Sequence, residues 1–263
     1  MLINKKRRIS PELLFPGFQL SQAVYTTKSL SSLVGQIFES LTEHFLGGDQ
    51  RTTNSATDCC PDVVNDDSHS MIESKASNFR SQFKVHHHQI IDYVKAHKDG
   101  WDVSYAFWSY GENQLRKKYK TRDRIIEAIL KNILYLDVVH ISIIEAIMKY
   151  QIRIREDGWP ELRDDNERLP GVRTILFWGP KEQAEYEAMG GANPMTLLSP
   201  PFFRWLRSEP DVVLKTLGLA DTAYEYHGEG KMNCYCKYDG VKMRTGSFTA
   251  WRYQPAEDCD APF

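Results

Sequence analysis

The chain has 263 residues, 41% hydrophobic and 26% charged, with a formal net charge of −2. That length can bury a sizeable core, and the composition is ordinary for a globular protein, which excludes fibrous, disordered and disulfide-stapled classes. No apolar run reaches about eighteen residues, so no membrane span is expected, and the near-neutral charge means that a nucleic-acid partner would meet a local basic cleft rather than a basic surface.

Residues 1–28 read as an irregular N-terminal arm, with Pro11 and Pro16 as breakers. Its basic stretch, Lys5, Lys6, Arg7 and Arg8, fits either a solvated arm or a DNA contact. No apolar signal core follows it, so a cytoplasmic location is expected. From Ser29 to Leu46, Leu30, Val34, Ile37, Phe38, Leu41 and Phe45 recur at the spacing of an amphipathic helix, which Gly47 and Gly48 stop. Glu39 and Glu43 lie one turn apart at the edge of its apolar face. Two short strands are predicted around Asp62-Val63-Val64 and Ser70-Met71-Ile72-Glu73, with Asn65-Asp66-Asp67-Ser68 as the turn between them. A second helix is expected from about Asn78 to His97, closed by Gly100, and then a strand over Asp102–Tyr110.

Beyond residue 110 the pattern is less regular. A basic loop containing Arg116, Lys117, Lys118, Lys120, Arg122 and Arg124, either simply solvated or a DNA-binding segment that contacts phosphates, leads into a helical pattern near 122–134. Residues 135–152 are apolar and fit either period, a strand is predicted at Arg173–Trp178, and antiparallel strands are predicted across 224–253, broken by Gly228, Gly230, Gly240 and Gly246. The five cysteines, Cys59, Cys60, Cys234, Cys236 and Cys259, are odd in number and are expected as reduced thiols.

The chemistry-bearing residues are Pro61-Asp62 and, ten residues on, Glu73-Ser74-Lys75. With Asn65–Ser68 as the turn, residue 64 faces 69 and residue 62 faces 71; strand alternation then puts Asp62, Glu73 and Lys75 on one face of the hairpin. Two adjacent carboxylates repel unless a cation lies between them, and hard oxygen donors suit Mg²⁺. A lysine beside such an ion can orient water or offset charge in the transition state of phosphodiester hydrolysis. So short a pattern also arises by chance: Pro210-Asp211 followed by Glu229-Gly230-Lys231 repeats it, but there Asp211 opens a helix and Glu229 stands between glycines, so no strand presents that set on one face.

In this setting the chain resembles the PD-(D/E)xK nuclease superfamily, whose restriction-endonuclease-like core runs helix, β-meander, helix, strand. Gly35-Gln36-Ile37-Phe38-Glu39 matches the G-x-x-x-E pattern, and Gln89-Ile90-Ile91-Asp92-Tyr93 the Q-x-x-x-Y pattern, of its RecB-like branch. The resemblance covers roughly residues 29–110. It implies an α/β (α+β) fold with a central mixed sheet flanked by helices, a nuclease core over 29–110, and a C-terminal α+β extension over 111–263 for DNA recognition or oligomerisation. It also implies that Asp62 and Glu73, with the Ser74 carbonyl, bind Mg²⁺, for which Mn²⁺ can substitute. Glu39, in preference to Glu43, joins directly or through water. Lys75 acts on the attacking water, and Gln89 and Tyr93 support the lysine or contact the DNA backbone.

His86, His87 and His88 point to three sides of a helix and cannot jointly hold one metal ion. The downstream spacing of Cys234, Cys236 and Cys259 departs from that of iron–sulfur nucleases. The expectation is therefore a Mg²⁺-dependent deoxyribonuclease acting on double-stranded DNA, foremost a homodimeric, type II restriction-like endonuclease. A RecB-like exonuclease or repair nuclease comes second, and a non-catalytic DNA-binding protein third. Since the chain contains no Gly-rich phosphate loop ending in Lys-Ser or Lys-Thr, any helicase motor would be a separate chain.

Overall fold

The computed structural model describes residues 17–51, 60–112, 114–154, 156, 160–175 and 195–219, together with the backbone of 234–235, 241–242 and 254–255. Where an irregular arm was expected, Gln22–Thr26 form a helical turn (α1), and Phe18 and Val24 are buried in the core. The first long helix (α2) spans Leu30–Leu46: the Ser29 hydroxyl accepts from the Ser32 N–H at 2.9 Å at its start, and Gly47, at φ 78°, ends it.

The strands that follow are β1 (Asp49–Gln50), β2 (Val63–Asn65) and β3 (Ser70–Asn78), all antiparallel neighbours. The turn is Asp66–His69, one residue later than predicted, so Val64 pairs with Met71 instead of residue 69. The Asn65 side chain accepts from the Ser68 N–H at 3.1 Å and holds this turn. A shift of two positions in the pairing leaves side-chain alternation unchanged, so Asp62 still shares a face with Glu73 and Lys75.

The helix expected from Asn78 to His97 is shorter. Asn78 ends β3, Phe83–His86 form a separate strand (β4), and the helix (α3) covers His87–Lys98. Phe83 and Val85 are buried while Lys84 is exposed, the alternation of a half-covered strand. Its partner is remote in sequence: β4 pairs antiparallel with β10 (Met195–Leu198), which pairs with β9 (Val172–Ile175). The predicted strand at 173–178 is thus seen through Ile175, and its last three residues lie outside the described ones.

Strand β5 (Asp102–Tyr110) lies parallel to β3 over nine pairs, from Ser70 with Asp102 to Asn78 with Tyr110. A short helix α4 (Leu115–Lys118) and α5 (Arg122–Lys131) lead to β6 (Ile133–His140), antiparallel to β5, and directly into α6 (Ile141–Gln151), after which β7 (Ile152–Ile154) pairs antiparallel with β8 (Pro160–Leu162). The ambiguous stretch 135–152 is therefore strand and then helix, with the His140 ring accepting from the Ser142 N–H at the junction. Two further helices, α7 (Pro200–Ser208) and α8 (Pro210–Thr216), close the described part. The backbone of 234–235 adds a parallel strand beside β6, and 241–242 pairs with 254–255; the rest of the predicted strands of 224–253 lies outside the described residues, as do Lys5, Lys6, Arg7 and Arg8.

The result is a mixed α/β architecture whose central sheet has helices on both faces. One face of β3 and β5 (Ile72, Ala106, Trp108) packs under α2 and α5; the other (Val103, Tyr105, Phe107) packs under α3, α6 and α7. Arg207 ties α7 to the sheet by donating to both carboxylate oxygens of the buried Asp137, at 2.8 and 2.5 Å, with its guanidinium over the Tyr135 ring. No helix among the described residues is long and apolar enough to cross a membrane.

Candidate active site

Strand β2 covers β3 only as far as Ile72, and the site forms where the two part. The Asp62 carboxylate accepts from the Ser74 N–H at 2.7 Å, satisfying a β3 donor just beyond the last paired residue. On the same face, Glu73 is 3% exposed and uses both of its oxygens. Lys75 Nζ stands 2.5 Å and Gln89 Nε2 3.2 Å from its Oε1, while the Tyr93 hydroxyl donates to its Oε2 at 2.5 Å. Gln89 Oε1 lies 3.4 Å from Lys75 Nζ, so the amide bridges the two charged groups. Gln89 and Tyr93 reach Glu73 together because they sit one turn apart on α3.

Glu39 comes from α2, on the opposite side of the sheet. Gln36 Nε2 (2.6 Å) and Gln50 Nε2 (2.8 Å) both donate to its Oε2. A Cβ at Gly35 would stand 3.4 Å from its Oε1, at ordinary van der Waals contact. Glu43, the alternative to Glu39, lines a neighbouring pocket with Gln19, Ser21, His44 and Gln50.

The electrostatics tie these groups together. Burial raises the proton affinity of Glu39, and the charge of Glu73 adds to it, against the Gln50 hydrogen bond and Lys75. Asp62 is pushed well above the usual carboxylate range by burial, then by the charges of Glu73 and Glu39. At Lys75 burial favours the neutral amine, but Glu73, Asp62 and Glu39 outweigh it and hold the ammonium form. Tyr93 is raised far above the ordinary phenol range by burial and by Glu73, so it is a proton donor throughout. Three carboxylates against one ammonium leave two formal negative charges, the charge of one divalent cation. Hard carboxylate oxygens, with the Ser74 carbonyl between Glu73 and Lys75, are a fitting donor set for Mg²⁺. Among the described residues no group of three or more His, Cys, Asp or Glu side chains stands in a ready metal-ligating arrangement.

The remaining predicted residues fall in different places. His86 feels the charge of Lys75 and, chiefly through burial, has a lowered proton affinity. His87 is buried, with Nε2 3.0 Å from the Thr196 hydroxyl. Lys118 pairs with Glu112 at 2.6 Å, and Arg122 donates to the carbonyls of Val24, Tyr25 and Thr27, so both are engaged within the protein. Arg116, Lys117 and Lys120 are exposed. Cys60 is a free, exposed thiol; the side chains of Cys59, Cys234, Cys236 and Cys259 lie outside the described residues, as does Glu229-Gly230-Lys231.

Sequence reasoning missed Gln36 and Gln50, which anchor Glu39. Gln36 sits inside the G-x-x-x-E pattern, three residues before Glu39 on the same helical face, which is the one signal that pointed to it. Comparison with known proteins adds no relative: no family model, no curated protein and no solved structure matches the chain.

Proposed function

We propose that this protein is a Mg²⁺-dependent deoxyribonuclease with a restriction-endonuclease-like core, cutting double-stranded DNA at a site built from Glu39, Asp62, Glu73 and Lys75. The observation that carries this reading is the gathering of three mutually repelling carboxylates around one half-buried lysine at the point where β2 leaves β3. Burying like charges is costly, and it is hard to account for as structural glue.

Asp62 and Glu73, with the Ser74 carbonyl, are the groups to hold the metal ion, and Glu39 completes the set directly or through water. The bound cation would supply Lewis-acid activation of the scissile phosphate and of a water molecule. Lys75, kept as an ammonium, donates to that water or to a phosphate oxygen and offsets the charge developing on phosphorus. Tyr93 and Gln89 fix Glu73 through both of its oxygens, so the carboxylate is oriented before substrate arrives.

As a homodimer the enzyme would present two such sites and cut both strands, in the manner of a type II restriction enzyme. The joint grip of Gln89 and Tyr93 on Glu73 favours a second reading, a RecB-like exonuclease. The test is incubation of supercoiled plasmid and linear duplex with Mg²⁺ or EDTA. Cutting is expected with Mg²⁺ only, and Lys75→Ala should slow it by about a hundredfold or more. Discrete products from the circle mark an endonuclease, and degradation that needs a free end marks an exonuclease. Cutting that survives EDTA or Lys75→Ala rejects the assignment.

A further inference from the structure

Three residues along β3 from Lys75, about 10 Å at the rise of a strand, the parallel strands β3 and β5 end side by side at Asn78 and Tyr110. There they border a pocket of ≈ 480 Å³ that is separate from the carboxylate cluster. That volume suits a nucleotide-sized group, and the outer ends of parallel strands are where open α/β sheets commonly receive ligands.

The charge of the pocket is cationic. Arg80, from the segment after β3, and Arg116 and Lys117, from α4, line it and are exposed. Among the described residues no carboxylate is within ion-pair distance of any of the three; Arg80 has its guanidinium over the Phe79 ring. The one acid in the lining, Glu112, is engaged by Lys118 at 2.6 Å and by the Tyr119 hydroxyl at 3.0 Å. Leu30 and Leu115 give the pocket an apolar wall, against which a sugar can lie while the guanidinium groups take the phosphate.

We propose that this pocket binds a backbone phosphate of the nucleic acid beside the stretch that enters the carboxylate site. The inference rests on the nuclease reading for its substrate, but it is tested by binding alone. The observations favour a polymer backbone over a free nucleotide, because the pocket opens on the α2 face of the sheet, the side from which Glu39 comes, at the end of the strand that carries Lys75, and offers its cations at an open rim.

The experiment is fluorescence anisotropy of a labelled DNA duplex with the full chain in EDTA, where no cutting occurs. The variant is Arg80→Gln with Arg116→Gln. A control, Arg204→Gln with Lys215→Gln, removes the same charge from exposed positions on α7 and α8. The pocket variant should bind roughly tenfold more weakly or worse near 0.1 M salt, and its log–log salt slope should fall by about 1.8, the loss of two phosphate contacts. The control should match the wild type in both, and dAMP should not displace the duplex. Equal weakening in both variants, an unchanged pocket variant, displacement by dAMP, or no duplex binding by the wild type would each overturn the pocket. Weakened binding by the pocket variant without any Mg²⁺-dependent cutting by the wild type would remove the nuclease reading and leave the pocket standing. Cutting by the wild type with unaltered binding by the pocket variant would do the reverse.

Discussion

At Asp62 the cost of burying a carboxylate adds to the repulsion of two others, and only Lys75 and one backbone N–H offset it. Its folded-state proton affinity is raised, so the folded chain holds that proton more tightly than the unfolded chain does. The stability this confers is present at low pH and is lost as pH rises through the folded value, above which the ionised Asp62 works against folding. Asp62→Asn keeps an acceptor for the Ser74 N–H and removes the charge. In EDTA at pH 7 it should therefore raise Tm, by about 2–4 °C for each kcal/mol recovered. With the wild type, millimolar Mg²⁺ should raise Tm, because a ligand of the native state stabilises it, and Asp62→Asn should lose most of that rise. Thermal melts with and without Mg²⁺ read both effects. A destabilised Asp62→Asn in EDTA would contradict the electrostatic account of this residue. A Mg²⁺ response equal to that of the wild type would remove Asp62 from the metal-binding set.

Between elements, the junction that matters for the site is where α3 meets the second sheet. His87, the first residue of α3, is buried against Thr196 of β10, and the helix it opens carries Gln89 and Tyr93 to Glu73. Burial, with the charges of His86 and His88, pushes the His87 imidazole down to about 4 from 6.5. A depressed histidine is protonated more readily in the unfolded chain, so its contribution is complete above pH 6.5 and is lost as pH falls toward 4. A shift of this size corresponds to at most about 3.5 kcal/mol. His87→Gln, which keeps a side-chain partner for Thr196, should flatten the fall in stability between pH 6.5 and 4, measured by urea denaturation across that range. An unchanged pH slope would show that His87 is not the group whose protonation loosens α3. The same junction is where the sequence misleads. Residues 78–86 sit beside a helical pattern and by local pattern belong to it, whereas Phe83–His86 form a strand because β10, more than a hundred residues away, offers a partner.

For the molecule as a whole, residue 110 is not an edge of the packing. The two main hydrophobic cores draw side chains from before and after it, and β5, with Tyr105, Phe107 and Trp108 fully buried, lies between β3 and β6. A fragment of residues 1–110 would expose one edge of β5 and the apolar faces that α5, α6 and α7 cover. It should show no cooperative thermal transition by circular dichroism and should aggregate at micromolar concentration. A cooperative melt of that fragment would establish 29–110 as an autonomous core.

What the sequence determined by itself is what neighbouring residues encode. The three-four spacing of Leu30 to Phe45 specifies α2, the β-branched and aromatic run specifies β5, and strand alternation places Asp62, Glu73 and Lys75 on one face even though the turn lies one residue later than predicted. Gln89 and Tyr93 were legible together because a helix brings residues four apart to one side. Tertiary structure alone decided that Glu39 reaches that cluster from the far side of the sheet on the amides of Gln36 and Gln50, that β4 leaves the helix to pair with β10, and that Arg80 and Arg116 share one pocket. The physical reason is one of range: period and turn chemistry act over a few residues, while the choice among possible strand partners and the shape of a pocket depend on packing between segments that the chain keeps far apart.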